Sequence, residues 1–487
     1  MKKKIFLYAV LLLCLFFTGC SLFDAPDVKK NAAANSPDAE ELDRKDVLAL
    51  MYLQNPHVSE EALASYVMDF LNADDGSETE RSIQAAPTHT ITKTTKLMHP
   101  VETGFAETTV DRRSARPVIS PGEIPFYVFT LENKETGQTG FALTCGDSRI
   151  GEVLAVVDAG NYDDDIPPLA VFYSQLNAYI EETIEIYNSI SQSDIENSVK
   201  NYKKARNINL PVTTVGNIEN FVLAPGYYSS VLLKTKWHQR YNAYLNENKK
   251  PPQGYEYITG CTATAIAQIM AYHKKPGKMS IFKTNYAYNW DNMINGSDDY
   301  FVSVLMFEIG WLIEAEYKKG KIETDEPSTT AKTTIKSKIA FRNMGYKDPG
   351  NAKKYNYSII QSSIDKKKPV LIQGYTDGKK ILGIPIVTGE GHAWVIDGYR
   401  GMLSKFKNKF TGEVEVEPIV VFNLPLKVYV HCNMGWEYEA GNGWYASAVF
   451  NTNKIPLDDQ DDTYFPRSTK EGNYSFNPRI IADITPK

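Results

Sequence analysis

A thiol and an imidazole, far apart in the chain, are the two groups best suited to covalent chemistry. Cys261 sits in Thr259-Gly260-Cys261-Thr262-Ala263-Thr264-Ala265, and an apolar, helix-like run continues to His273. A cysteine in the first turn of a helix meets the positive end of the dipole and free backbone N–H groups, which favour a thiolate. His392 lies 131 residues downstream, in Gly389-Glu390-Gly391-His392-Ala393-Trp394-Val395-Ile396-Asp397, at the predicted start of a strand. Brought together by folding, such a pair makes an activated nucleophile and its general base. His273 ends the helix about 18 Å from Cys261, too far to be that base, and reads as structural.

Two further segments could complete the site. Asn433, in Val428-Tyr429-Val430-His431-Cys432-Asn433-Met434-Gly435-Trp436, could orient the imidazole in a Cys-His-Asn arrangement. Gln373 ends the strand-like run Pro369-Val370-Leu371-Ile372-Gln373 and could donate to an oxyanion, together with the Cys261 N–H. Cys432 reads as buried and inert, turned by strand alternation away from the Asn433 face.

The rest of the chain has to position these groups. Its 487 residues suit two or three domains, and 43% hydrophobic with 23% charged residues is a globular composition. The formal charge is −6, near −9 without Lys2, Lys3 and Lys4, which argues against a nucleic-acid partner. These lysines precede 13 unbroken apolar residues, 5–17. That run is shorter than the roughly 20 residues a spanning helix needs, and it suits an export signal. Phe17-Thr18-Gly19-Cys20 resembles a lipobox, so residues 1–19 are expected to be removed and Cys20 to be lipidated, with 20–37 as a tether. The expected location is that of an exported, membrane-anchored lipoprotein, on the outer membrane or cell surface. Cys145, Cys261 and Cys432 then remain, an odd and widely spaced set that forms neither a disulfide framework nor a zinc site. Phosphate-loop, dinucleotide and zinc-protease motifs are absent, and the acidic run 458–462 lacks calcium-loop spacing, so neither cofactor nor metal is expected.

Residues 38–72 read as helical, with Ser59 as a cap, and 76–100 as a polar connection. Strands are predicted at 126–131, 140–145 and 153–157, then a helix over 169–190. Residues 38–190 thus form an α+β unit. The polar, broken stretch 191–226 reads as a linker, and its basic cluster Lys203-Lys204-Ala205-Arg206 as a cleavage site. Residues 227–487 form a second unit, helical first, with a helix over 302–317. Strands at 369–373, 392–399, 419–423, 428–433 and 444–449 follow, an α+β layout with the site between its halves.

Taken together, the segments around Cys261, Gln373, His392 and Asn433 resemble the streptopain-like cysteine proteases, peptidase family C10, and the likeness covers most of the chain. It implies a papain-like catalytic domain, a helical part plus an antiparallel sheet, preceded by an α+β inhibitory propeptide. It also implies a zymogen hydrolysing peptide bonds through Cys261 as nucleophile, His392 as base and Gln373 as oxyanion donor. Gly391 would meet substrate backbone, Thr330 would help bind substrate from the stretch 328–346, and Trp436 would line the site. Protein or peptide substrates, the propeptide and a membrane are then the partners, with no nucleic acid. The family's usual tryptophan after the asparagine is Met434 here. That departure motivates the rival expectation of a surface lipoprotein that binds peptides without cutting them.

Overall fold

The computed structural model describes residues 44–50, 57–72, 88–101, 122–206, 218–239, 241, 255–256, 258–278, 287–318, 320–321, 328–330, 333–377, 382, 388–408, 414–417, 428–451 and 478–487. The export signal, Cys20, the tether, the strand expected at 419–423 and the acidic run 458–462 lie outside them. Among the described residues no helix is long and apolar enough to cross a membrane.

The N-terminal unit opens with helices α1 (Arg44–Leu50) and α2 (Glu60–Asn72). Ser59 caps α2, its hydroxyl accepting from the Ala62 amide at 3.3 Å. Four strands follow: β1 (His89–Val101), β2 (Gly122–Asn133), β3 (Thr139–Cys145) and β4 (Val153–Val157). They form an antiparallel meander. Strand β1 occupies the second half of the stretch read as a polar connection. Its β-branched threonines suit an extended edge strand even though its polarity mimics a loop. Helix α3 (Pro167–Ser189) lies across the sheet, and its prolines stand at the N-terminus, where a missing N–H costs nothing. Among the described residues, the expected linker forms α4 (Gln192–Arg206) and the greater part of β5 (Ile218–Tyr228).

The second unit continues with β6 (Tyr255–Glu256), α5 (Cys261–His273), α6 (Trp290–Ile294), α7 (Asp299–Leu312), β7 (Glu316–Lys318), β8 (Gly320–Lys321), β9 (Ser328–Thr330) and α8 (Thr333–Asn343). Then come β10 (Lys353–Lys354), α9 (Tyr357–Asp365), β11 (Val370–Asp377), β12 (Thr388–Asn408), β13 (Val414–Glu417), β14 (Val428–Asn433), β15 (Gly443–Ala446) and β16 (Arg479–Ile481). Strand β15 is shorter than predicted, because the chain turns into a 3-10 helix over Ser447–Phe450.

The two units share one sheet, in the order β1-β2-β3-β4-β15-β14-β12-β11-β16-β10, with β5 and β13 also pairing β12. The seam is β4 against β15, antiparallel, with Val157 opposite Gly443 and Ala155 opposite Tyr445. Aromatic packing reinforces it: Phe172 meets Tyr445 and Phe70 meets Tyr429, each with ring centroids 4.8 Å apart. Arg400 donates from Nη1 to the Phe70 carbonyl at 2.8 Å, its guanidinium lying over the Trp444 ring. One apolar core therefore joins α3 and the first meander to one face of β11, β12 and β14. A second core gathers α5, α7 and α8 on the other face, against Leu371 and Val395. The result is the α+β architecture expected, helices plus a large antiparallel sheet, with the N-terminal unit docked edge to edge.

Candidate active site

Cys261 is the first residue of α5. Gly260 before it has φ 86°, a left-handed conformation that a side chain would resist, and so the chain can turn sharply into the helix. Alanines 263, 265 and 267 are all buried, which lets α5 lie close against β12. Burial raises the Cys261 thiol above its ordinary pKa. Hydrogen bonds from the amides of Ala393, Thr262 and Cys261 itself, and from the Thr262 hydroxyl, oppose that rise without overcoming it. The protonated thiol is therefore the resting form at neutral pH, inside a cluster of donors ready to hold negative charge.

His392 faces the other way. Side chains alternate along a strand, so Ala393 and Val395 share the α5 face, whereas His392, Trp394 and Ile396 share the face packed against α3. The register confirms this. Gly374 is paired with His392, and a Cβ on Gly374 would come within 2.8 Å of Val171 Cγ1 on α3. The imidazole is buried, stacked on Trp394 at 6.0 Å and 12°, and edge-on to Trp436 at 6.2 Å. Its Nε2 lies 2.7 Å from the Met434 carbonyl oxygen, an acceptor only, so the proton sits on Nε2. Burial lowers its pKa to about 4, the Met434 bond partly offsetting that effect, and the ring is neutral near pH 7. Thus the amide of Ala393, rather than the imidazole beside it, contacts the Cys261 sulfur. His392 also stands inside β12, four residues after its start at Thr388, instead of heading the strand.

The remaining expected residues are placed as follows. Gln373 pairs with Ala393 and so lies on the Cys261 face of the sheet, and its Nε2 is buried with no hydrogen-bond partner. Such an orphaned donor is what an oxyanion would satisfy. Asn433 does not reach His392. Its Oδ1 accepts from Gln268 Nε2 at 3.0 Å and the Gly435 amide at 3.2 Å, and its Nδ2 donates to the Thr235 carbonyl at 3.2 Å. The alternation that puts His392 on the α3 face puts Asn433 on the α5 face. The acceptor that His392 Nε2 meets is instead the Met434 carbonyl, and the Met434 amide is itself held by Asn442 Oδ1 at 2.7 Å. Gly391 is exposed and directly opposite Tyr375. Trp436 is half-buried against the imidazole. Thr330 lies at the end of β9, its backbone paired with Glu316. Cys432 is buried and accepts from Trp394 Nε1 at 3.3 Å. No cluster able to hold a metal occurs among the described residues.

Three polar residues went unnoticed in the sequence: Thr235, Gln239 and Gln268. Gln268 carried a signal, since it stands alone in an apolar helix two turns after Cys261 and so on the same side of α5.

Residues 236–445 match the Peptidase C10 family, a span that takes in Cys261, Gln373, His392 and Asn433. Over that span the chain is similar to the streptopain-like peptidases. Among proteins similar to it, the streptopain of Streptococcus pyogenes serotype M1 is 23% identical over 321 residues, which is 58% of this chain and 70% of the streptopain. The serotype M28 (strain MGAS6180) streptopain is 24% identical over 323 residues, with the same coverage. Among solved structures, a prointerpain A fragment of Prevotella intermedia covers 73% of this chain and 94% of its own, at 18% identity and TM-score 0.41. Active interpain A of that organism covers 52% and 93%, at 22% identity and TM-score 0.30. The likeness to cysteine peptidases thus falls on the segment that carries Cys261 and His392.

Proposed function

We propose that this protein is an exported, lipid-anchored cysteine endopeptidase made as a latent precursor, with residues 38–190 as its prodomain. Cys261 attacks the peptide carbonyl once His392 has taken its proton. The tetrahedral oxyanion accepts hydrogen bonds from the Cys261 amide and Gln373 Nε2. His392 then protonates the leaving amine, and water hydrolyses the thioester. For this the imidazole has to cross from the α3 face to the α5 face, a change of one strand position. Cleavage within 191–226 frees the prodomain and with it α3, which backs the resting pocket. The lipid on Cys20 holds the enzyme at a membrane, and no cofactor takes part.

The observation that carries this reading is the Cys261 sulfur, set at a helix start among three backbone amides, with the orphaned Gln373 donor on the same face and His392 one residue from its Ala393 contact. The test is Cys261→Ala in the full-length precursor. Hydrolysis of a peptide library and release of a mature form should both vanish. Activity unchanged in that variant rules out this nucleophile. A native protein that binds peptides but hydrolyses none, with no thiol modified by a peptide-based electrophile, is the non-cutting surface lipoprotein instead.

A further inference from the structure

We infer that Gln268 and Thr235 are positioning residues for the catalytic pair, tying the nucleophile helix to the turn that holds the imidazole. The inference rests on the peptidase reading above. Gln268 is fully buried. Its Oε1 accepts from the Thr235 hydroxyl at 2.7 Å, and its Nε2 donates to Asn433 Oδ1 at 3.0 Å. Asn433 Nδ2 donates back to the Thr235 carbonyl at 3.2 Å, closing a ring across three separate segments. Every amide and hydroxyl of the ring is used, so its geometry is single-valued.

The ring fixes the turn after β14 from one side. Asn433 Oδ1 also takes the Gly435 amide, and Gly435 itself has φ 61°. A Cβ there would reach Thr264 Cγ2 at 3.0 Å and Gln268 Nε2 at 3.5 Å, so the turn is pressed onto the Cys261 face of α5. A second tie runs through Gln239, whose amide donates to the Gly435 carbonyl at 3.1 Å. Its own carbonyl accepts from the amides of Thr259 and Gly260, just ahead of the nucleophile. Between Asn433 and Gly435 stands Met434, whose carbonyl holds His392 Nε2. Displacing α5 from this turn displaces the thiol relative to the imidazole's acceptor, and shifts of about 1 Å cost on the order of 100-fold in rate.

The experiment uses the full chain and its matured form with Thr235→Val, Thr235→Ser, Gln268→Leu and the native residues. Two readouts are taken: kcat and KM on a peptide, and the pH profile of Cys261 alkylation by iodoacetamide. Thr235→Val and Gln268→Leu should lower kcat by on the order of 10- to 100-fold with KM little changed, and shift the alkylation profile. Thr235→Ser, which restores the hydroxyl, should restore both. If Gln268→Leu does not fold, the Thr235 pair still decides. Native kcat and a native alkylation profile in Thr235→Val overturn the inference, as does an equal loss in Thr235→Ser. Failure of the peptidase reading shows separately, as a native chain that hydrolyses nothing. The alkylation profiles then still report whether the ring positions the thiol.

Discussion

The His392 Nε2 and the Met434 carbonyl oxygen lie 2.7 Å apart, and this bond keeps the imidazole on the face of β12 opposite the Cys261 thiol. Both groups are neutral at rest, the thiol because burial raises its pKa and the ring because burial lowers its own. In the proposed mechanism, latency follows from strand alternation: His392 is one residue out of phase with Ala393, whose amide meets the thiol.

This resting contact is sensitive to acid. Burial depresses the His392 pKa in the folded chain to about 4, below the ordinary 6.5, so its contribution is fully present above 6.5 and is lost as pH falls through 4. Relative to neutral pH, this ring should cost the folded state about 3 kcal/mol of stability once the pH is well below 4. Urea titrations at pH 7 and pH 4 should show a smaller acid loss for His392→Gln than for the native precursor, and the native precursor should mature faster in acid. An identical acid loss in both proteins removes His392 from the account.

A second histidine behaves in the opposite sense. Burial works to lower the His431 pKa, but the charge of Asp397, 2.6 Å from Nδ1, and Asp158 across the seam raise it to about 10. Its contribution is fully present below pH 6.5 and is lost as pH rises through 10. His431→Ala leaves the fully buried Asp397 without its cationic partner and should cost about 3–5 kcal/mol. Asp158 is half-exposed and 3.9 Å from Nε2, so Asp158→Asn should cost less than about 1 kcal/mol. Chemical denaturation of the precursor measures both.

The seam between the units depends on close backbone approach. A Cβ at Gly443 would strike the Val156 carbonyl oxygen on β4, and its φ of 154° is unusual for other residues. Gly443→Ala should therefore loosen the docked N-terminal unit. Limited proteolysis should release that unit earlier, by on the order of tenfold in rate for a loss of about 1.4 kcal/mol.

Gln373 tests the oxyanion assignment. Its orphaned Nε2 gives the resting fold nothing, so Gln373→Ala should leave thermal stability near native. It should lower kcat of the matured enzyme by on the order of 100- to 1,000-fold with KM little changed. A fall confined to KM places Gln373 in ground-state binding.

Much of this was legible in the residues. The apolar run after Cys261 and the glycine before it mark α5 from its first residue, and the runs at 153–157 and 428–433 are β4 and β14 as read. Strand β1 and helix α4 were not legible as such. Both are polar, β1 because it is the last strand on its side of the sheet, and α4 because it depends on packing against α1. The facing of His392 was hidden for a different reason. Alternation creates two faces, but only the docked helix α3 decides which of them takes the imidazole. The Met434 carbonyl has no side-chain signature at all, so the residue types alone point to Asn433 rather than to this backbone contact.

The most direct test compares the pH dependence of Cys261 alkylation by iodoacetamide in the intact chain and in a chain cut between 191 and 226 and freed of its N-terminal unit. Intact, the thiol should titrate in a single step above its ordinary value of 9.0, because it is buried and unpaired with an imidazole. Freed, it should react at a pH lower by several units, as a thiol paired with His392 does. The acid-shifted limb should disappear in His392→Ala. The same high-pH profile in both forms would contradict a nucleophile held apart from its base by the docked N-terminal unit.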